Sequence, residues 1–574
     1  MPFGLRIAVL GAAAAVACGT ARAQDARFEA LAGEYVEALL SMNPEVATAL
    51  GDHRYDDRLD DHTLDGASKN LQRERRFQAR LAGIDPATLT ETNAVDYRIL
   101  EAQIESSIFS LEVLREREWN PLEYNVGDAI YALLARDFAP LEERLRDVEA
   151  RLEALPGVLR AAEANLRDPP EIHTETAIAQ NRGTISLVGA GLDRFLEQAP
   201  DLKAQIEPAQ RAALAALRSY GKWLETDLLP RSNGDFRLGE TKFRAKLSHT
   251  LDSDLSMEQI LARAEQSLVE TQDAMYDTAL PLYREHVPDA TADQIRDRKR
   301  VIKTVLDKLA ESHPTNETIL EQASTDLEQA TRFVGSHGLV SLPDEPVQII
   351  VMPEFERGVA IAYCDAPGPL EQRGKTFFAI APTPADWSDQ RVASFYREYN
   401  DYMLKDLTAH EAMPGHYLQL AHANHFRAPT RIRTIFSSGP FIEGWAVYAE
   451  RLMADNGFGG PEVRMQQMKM WLRSIINAIL DQKIHTAGMT EAEAMDLMMN
   501  EGFQEEGEAA GKWRRAALTS TQLSTYFVGY SEIQDIRAAY EAKRGPITDW
   551  RAFHDELLSF GSPPAKYVKQ LMGL

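Results

Sequence analysis

From residue 28 to about residue 229, apolar positions recur at three- and four-residue intervals, the spacing of one buried face of an α-helix. Leu141, Leu145, Val148, Leu152 and Leu155 make one such stripe, and the Arg and Glu residues between them read as its solvated side. Segments 141–166 and 205–228 are therefore expected to be packing helices, and nothing in them requires chemistry. Pro230-Arg231-Ser232-Asn233-Gly234-Asp235 interrupts the pattern with a run of turn residues. It suggests a boundary between an N-terminal helical lobe, 24–235, and a C-terminal lobe, 236–574. Helical spacing resumes at Ser256-Met257-Glu258-Gln259, a start signal with a carboxylate in the first turn, and continues to about residue 334.

After Gly338 the period changes. Runs at 347–352, 359–364 and 375–380 are short, β-branched or aromatic, and separated by Pro and Gly, which predicts a small antiparallel sheet within about 345–382. Helical patterning returns near Trp387 and persists to the end. The expected fold class is mostly α, with this small antiparallel sheet just ahead of helices at about 390–455.

Composition narrows the function classes. The 574 residues hold 62 Lys+Arg against 87 Asp+Glu, a net charge of −25, so the clustered cations that a nucleic acid requires are missing. At 44% apolar and 26% charged, the chain is ordinary globular material. Arg6, an apolar run at 7–17 and Ala21-Arg22-Ala23 form a signal peptide over 1–23, which implies a periplasmic or secreted protein. That run is shorter than the ~20 residues that span a bilayer. Ala15-Val16-Ala17-Cys18 is an alternative reading, a lipoprotein-type cleavage site lacking Leu at its first position, and membrane contact is expected only if Cys18 is lipidated. The other cysteine is Cys364, so a chain cleaved after Ala23 has no partner for an internal disulfide.

The chemistry concentrates in His410-Glu411-Ala412-Met413-Pro414-Gly415-His416. Phe395, Tyr399, Met403 and Leu407 mark the apolar side of one expected helix, and continuing by three and four residues reaches His410 and Glu411. An interior His beside an interior Glu is costly unless each is bonded, paired or metal-bound. In the HExxH motif two His one turn apart hold Zn²⁺ and the Glu activates a water. Here the two His are six positions apart, which on a straight helix puts them ~120° apart. Pro414 must deform the helix and Gly415 tolerates unusual backbone angles, so together they offer a bulge that returns His416 to the face of His410. Glu443, Val447 and Glu450 share one side of a second expected helix. His410, His416 and Glu443 then make a two-imidazole, one-carboxylate set for a single zinc ion, with Glu450 placed to orient a ligand His.

These two stretches, His-Glu-x-x-Pro-Gly-His and Glu-Gly-Trp-Ala-x-Tyr-x-Glu, resemble a large bacterial family of exported proteins of unassigned function that is grouped with the gluzincin metallopeptidases. The likeness begins at Asn43-Pro44-Glu45-Val46-Ala47-Thr48 and Gly51-Asp52-His53 and spans nearly the whole mature chain. It implies zinc, a two-lobed helical zincin-like fold with a cleft suited to short peptides, and peptide-bond hydrolysis. Within that clan dipeptidyl peptidase III also lengthens the spacing of its His ligands, by one residue. Thr525-Tyr526-Phe527-Val528-Gly529-Tyr530 is similar to the angiotensin-converting-enzyme-type segment that carries a catalytic tyrosine, and the match implies that Tyr526 stabilises the oxyanion. Gluzincins commonly bind substrate along a sheet edge, which here would be Val359 to Tyr363 with its small Ala360 and Ala362.

Other candidates divide between chemistry and packing. Tyr526, Tyr530 and Arg537 share a helical side, equally readable as an aromatic packing stripe. Lys512, Arg514 and Arg515 could hold a substrate carboxylate, but a charge cluster of this kind is expected to be solvated surface. His422 could compete with His416 for the metal, while His173, between Glu171 and Glu175, is expected at the surface. The leading expectation is an exported zinc metallopeptidase for short peptides. In it Glu411 moves a proton from water to the leaving amine. A different metal-dependent amide hydrolase and a non-catalytic helical binding protein or lipoprotein are the alternatives. The oligomeric state is left open.

Overall fold

A computed structural model describes residues 4–352, 362–371, 374–384 and 387–574, with side chains from residue 22 onward. The chain divides into two compact units. The first takes Met1–Gly234, Gly368–Gln372 and Phe426–Ser437; the second takes Asp235–Pro367, Arg373–His425 and Ser438–Leu574.

The first unit is helical. Its core forms where the Leu141–Asn165 helix lays Leu145, Val148, Leu152 and Leu155, all fully buried, against Ile206, Ala213 and Leu217 of the Pro200–Trp223 helix. The stripe was legible because each of these positions sits three or four residues from the next. The backbone is helical over Gly4–Met42, and from Phe28 onward Ala32, Tyr35, Val36 and Leu40 are buried on one side of it. Asp25 accepts from the backbone N–H of Thr90 at 3.0 Å. The Gly51-Asp52-His53 stretch enters a buried polar web. Gly51, at φ 86°, closes the Pro44–Leu50 helix in the left-handed region, which favours glycine. His53 then stacks on Phe138 and lies 2.8 Å from both Asp56 and Glu371. Thr48 donates to Asp56 at 2.6 Å and accepts from the fully buried Arg151 at 2.6 Å. His173, expected at the surface, is instead buried edge-on against Trp119, because the Glu171–Ser186 helix turns His173, Thr174 and Ala177 inward.

The second unit is also mostly helical. Ser256 caps the Met257–His286 helix through a reciprocal bond with Gln259, and that helix packs on Gly460–Ala487 through Ala264, Leu472, Ile475 and Ile479. Its small sheet has three strands, β1 (Val347–Val351), β2 (Ala362–Asp365) and β3 (Thr376–Ile380), in the order β1-β3-β2. The sheet is mixed, not antiparallel: β1 runs parallel to β3, with Ile349 opposite Phe378, and β2 antiparallel, with Cys364 opposite Phe378. Alternation tells which face of a strand is buried but not which neighbour it pairs with, so the direction of β1 was not readable. Phe378, Ala379 and Ile380 are buried, as befits a central strand.

The single helix expected through Phe395, Tyr399, Met403 and Leu407 is two helices, Asp389–Glu398 and Asp401–Glu411. Asn400 separates them. Its side chain accepts from the backbone N–H groups of Tyr402 and Met403, 3.2 Å each, and starts the second helix afresh. Apolar spacing continues across the break, which concealed it.

Candidate metal centre

The Asp401–Glu411 helix brings His410 and Glu411 to its last turn and stops there. Ala412 and Met413 both donate their N–H to the carbonyl of Thr408, at 3.0 and 3.1 Å, and the Met413–Pro414 peptide bond is cis. A new helix, His416–His425, starts at His416. The two histidines therefore do not share a bulged helix, as the spacing suggested; they face each other across a break, with ring centroids 4.8 Å apart and planes at 90°. Gly415 permits the close return. A Cβ there would stand 1.7 Å from the carbonyl oxygen of His410, so only glycine fits.

Glu443 comes from the Gly439–Asp455 helix, which Ser438 caps. That helix crosses Ser524–Arg544 with no side chain between them. A Cβ on Gly444 would lie 2.2 Å from the backbone of Gly529, and one on Gly529 would lie 1.8 Å from the carbonyl oxygen of Pro440. Trp445, fully buried, donates its indole N–H to the carbonyl of Pro414 at 2.8 Å and so ties this helix to the loop between the histidines.

One ligand atom each from His410, His416 and Glu443 lies within 4.8 Å of the other two. Glu443 Oε2 is 3.7 Å from His410 Nε2 and 3.4 Å from His416 Nε2. These separations are too long for good hydrogen bonds. They match the ~3.4 Å edge of a tetrahedron whose corners sit ~2.0–2.1 Å from a zinc ion. Glu450 Oε1 lies 2.5 Å from His410 Nδ1, and an Nδ1–H donated there fixes the ring with Nε2 as the nitrogen that faces the cluster. His416 Nδ1 is buried without a hydrogen-bond partner among the described residues. Donor set and spacing therefore fit one zinc ion.

The electrostatics follow from burial and charge pairing. Burial opposes a charge on His410, yet the Glu443 and Glu450 carboxylates hold its pKa well above the usual imidazole value. Burial likewise works against ionised Glu443, but the two imidazoles outweigh it and keep the carboxyl well below the carboxylate range. Burial dominates at Glu411, whose pKa is raised, and its Oε2 accepts from the N–H of Cys364 in β2 at 3.0 Å. Burial, and then the Glu450 charge, push Asp406 well up. Asp406 sits one turn before His410 and was passed over in the sequence, although the i, i+4 spacing marks it.

The comparisons with known proteins agree with one another. A family model described as "Bacterial protein of unknown function (DUF885)" matches residues 44–572. This chain belongs to that family. A solved structure, described as "a putative lipoprotein of unknown function" from Shewanella oneidensis, is 32% identical, with TM-score 0.81 over 95% of this chain and 100% of the other. A "putative lipoprotein" from Colwellia psychrerythraea shares the fold, at 17% identity and TM-score 0.79 over 96% and 98% of the two chains. No curated protein matches. No described helix of this DUF885 protein is long and apolar enough to cross a membrane.

The remaining predicted residues divide. The Tyr526 hydroxyl accepts from Arg515 Nη2 at 3.0 Å and Gln522 Nε2 at 3.4 Å, and burial, followed by the Glu443 charge, raises its pKa. Both acceptor positions are thus occupied and the phenolic proton is free to be donated. Tyr530, one turn on, instead packs on Trp471 at 4.2 Å, and Arg537 stacks over Trp550 at 4.6 Å. Ala362 is buried in the core with Phe378 and Ile380, while Ala360 lies outside the described residues. His422 bonds the carbonyl of Ser341 at 2.9 Å, and His425 pairs with Glu345 at the surface. The basic cluster corrects the expectation of solvated surface. Arg514 is exposed and Arg515 half-buried, but Lys512 is only 8% exposed. Burial and then the Arg473 guanidinium push the Lys512 ammonium down to about 7.

Proposed function

We propose that this protein is an exported zinc-dependent peptidase acting on short peptides. The observation that carries the proposal is the spacing of Glu443 Oε2 from His410 Nε2 and His416 Nε2, long for hydrogen bonds and close to the edges of one tetrahedral ion, with all three ligand atoms within 4.8 Å of one another. A zinc ion held there supplies Lewis acidity, polarising a carbonyl oxygen and acidifying water.

The chain's own residues supply the rest. Glu450 keeps His410 in one tautomer and one orientation. Glu411, adjacent to a ligand and steadied by the Cys364 N–H, takes the proton of the attacking water and passes it to the leaving amine. Tyr526, its oxygen already holding Arg515 and Gln522, donates its proton as a hydrogen bond where the oxyanion develops. The solved relatives' description as lipoproteins supports export, with anchoring at Cys18 set against cleavage after Ala23. A mass measurement of the mature N-terminus separates the two.

The test joins metal analysis to peptide-library digestion read by mass spectrometry. The expected result is one zinc per chain and cleavage of short peptides that Glu411→Gln abolishes, by at least about 10³-fold, while metal content is unchanged. A zinc-loaded Glu411→Gln protein that still cleaves at the wild-type rate refutes the assigned base. Zinc-loaded wild type that cleaves amides other than peptide bonds favours the amide-hydrolase alternative, and one that binds peptides without cleaving any favours the binding-protein alternative.

A further inference from the structure

Tyr526 stands in the first turn of the Ser524–Arg544 helix, and Leu523, the residue before that helix, gives its N–H groups no side-chain cap. The cap comes from another helix. Asp481, on Gly460–Ala487 and only 2% exposed, accepts from the backbone N–H of Thr521 at 2.8 Å through one oxygen. Through its other oxygen it accepts from the N–H of Ser524 at 3.0 Å and the Ser524 hydroxyl at 2.7 Å. One turn on, His485 is buried as well, with Nε2 3.2 Å from the carbonyl of Ala516 and 2.9 Å from that of Thr519. Facing two acceptors, that nitrogen carries the ring proton. Asp481 and His485, four residues apart on one helix face, thus grip both sides of the turn that joins Glu506–Leu518 to Ser524–Arg544.

That turn is strained. Thr521 has φ 68°, a left-handed conformation that a β-branched residue rarely adopts and that persists only where its surroundings over-determine it. Asp481 is one restraint, and the Thr250 hydroxyl, 2.7 Å from that of Thr521, is another. The turn also sets the phenol. Gln522 lies in it and Arg515 lies in the last turn of the helix before it. Arg515 Nη2 donates to Gln522 Oε1 at 2.8 Å, and both side chains donate to the Tyr526 hydroxyl.

We propose that Asp481 is a positioning residue: by holding Thr521 and Ser524 it places the Tyr526 hydroxyl for the hydrogen bond to the oxyanion, while His485 secures the end of the helix that carries Arg515. This rests on the peptidase reading. A donor that acts only in the transition state is sensitive to small displacements, since a shift of about 1 Å can cost about 10²-fold in rate.

The experiment uses zinc-loaded full-length protein and one tetrapeptide taken from the library digestion. Asp481→Asn keeps the volume and one acceptor but puts an NH₂ group where the second oxygen accepts. The expected result is a kcat lower by about 10- to 100-fold, with KM within about 2-fold of wild type and zinc content unchanged; removing an oxyanion donor outright costs about 10²–10³. In the Tyr526→Phe background, Asp481→Asn should change kcat by less than about 2-fold, because the two residues act as a unit. A second readout needs no turnover. In metal-free protein labelled with ¹³Cζ-tyrosine, the Tyr526 resonance, assigned by its loss in Tyr526→Phe, should shift in Asp481→Asn.

A wild-type kcat in Asp481→Asn, an equal loss of kcat with and without Tyr526, or an unmoved Tyr526 resonance overturns this proposal alone and leaves the peptidase reading standing. If Asp481→Asn fails to fold, it is combined with Thr521→Gly, since glycine takes the left-handed angles without strain, and compared with Thr521→Gly by the same measurements. Zinc-loaded wild type that cleaves no peptide overturns both readings.

Discussion

The indole N–H of Trp445 donates to the carbonyl of Pro414 at 2.8 Å, so one hydrogen bond links the loop between His410 and His416 to the helix that carries Glu443. Three ligands from three helices thus share one short brace, reinforced by the contact of Gly415 with the His410 carbonyl.

Breaking that brace is expected to loosen the metal before it unfolds the protein. Trp445→Phe leaves the Pro414 carbonyl buried without its donor, a cost of about 1–3 kcal/mol. Zinc affinity should fall with it, read by competition with a chelator, and the melting temperature of the metal-free protein should drop. Gly415→Ala forces a methyl into the space of a carbonyl oxygen and should be more severe in both measurements.

Glu450 acts on His410 from behind. Replacing it with Gln keeps the volume but exchanges the carboxylate for a neutral acceptor, and zinc affinity should weaken about 10- to 100-fold. The readout is chelator competition, and unchanged affinity would mean that the imidazole is held by packing alone.

Glu532 provides a pH test away from the metal. Its burial, with Asp254 and Asp535 adding to it, raises its pKa to about 7, although the Ser253 hydroxyl, donating at 2.7 Å, and the Lys566 charge pull the other way. In the unfolded chain the group ionises near the ordinary glutamate value, so folding favours the protonated form. The stability it contributes is complete below about pH 4.5, declines as the pH rises, and is lost above about 7, amounting to at most about 3 kcal/mol. Glu532→Gln should flatten that part of the profile and be more stable than the wild type at pH 8, as followed by urea unfolding.

His554 has the opposite sign. It is fully buried, with Nδ1 2.6 Å from the carbonyl of Leu339 and Nε2 2.9 Å from the Tyr448 hydroxyl. Burial pushes its pKa down to about 4 against the pull of that carbonyl, so the folded protein keeps the ring neutral while the unfolded chain protonates near 6.5. Its contribution is intact above about pH 6.5 and disappears as the pH falls toward 4. Nuclear magnetic resonance titration of the labelled ring should show no protonation at pH 5.5 in the folded state; a midpoint near 6.5 would refute the assignment.

Much of this molecule was legible as pattern. The stripe from Leu145 to Leu155 packs as its spacing requires, and Ser256 with Gln259 starts a helix as capping residues do, because both signals are local. The break at Asn400 was hidden because the apolar spacing runs through it while the cap acts on backbone donors. Lys512 was misjudged for a related reason: a lysine among arginines looks solvated until the helices around it are in place. The direction of β1 depends on a partner strand some thirty residues away, which alternation within either strand does not encode.

By itself the chain's order of residues determined the helical class, the main apolar faces and which ionisable groups stand near the Pro-Gly break, since these depend on neighbours within a turn or two. Tertiary structure alone decided that the two imidazoles meet across a gap between helices, that Glu443 enters from a helix seated glycine to glycine on another, and that Lys512 is enclosed. Those relations depend on the close approach of distant backbones and the exclusion of water, and neither is a property of any segment taken alone.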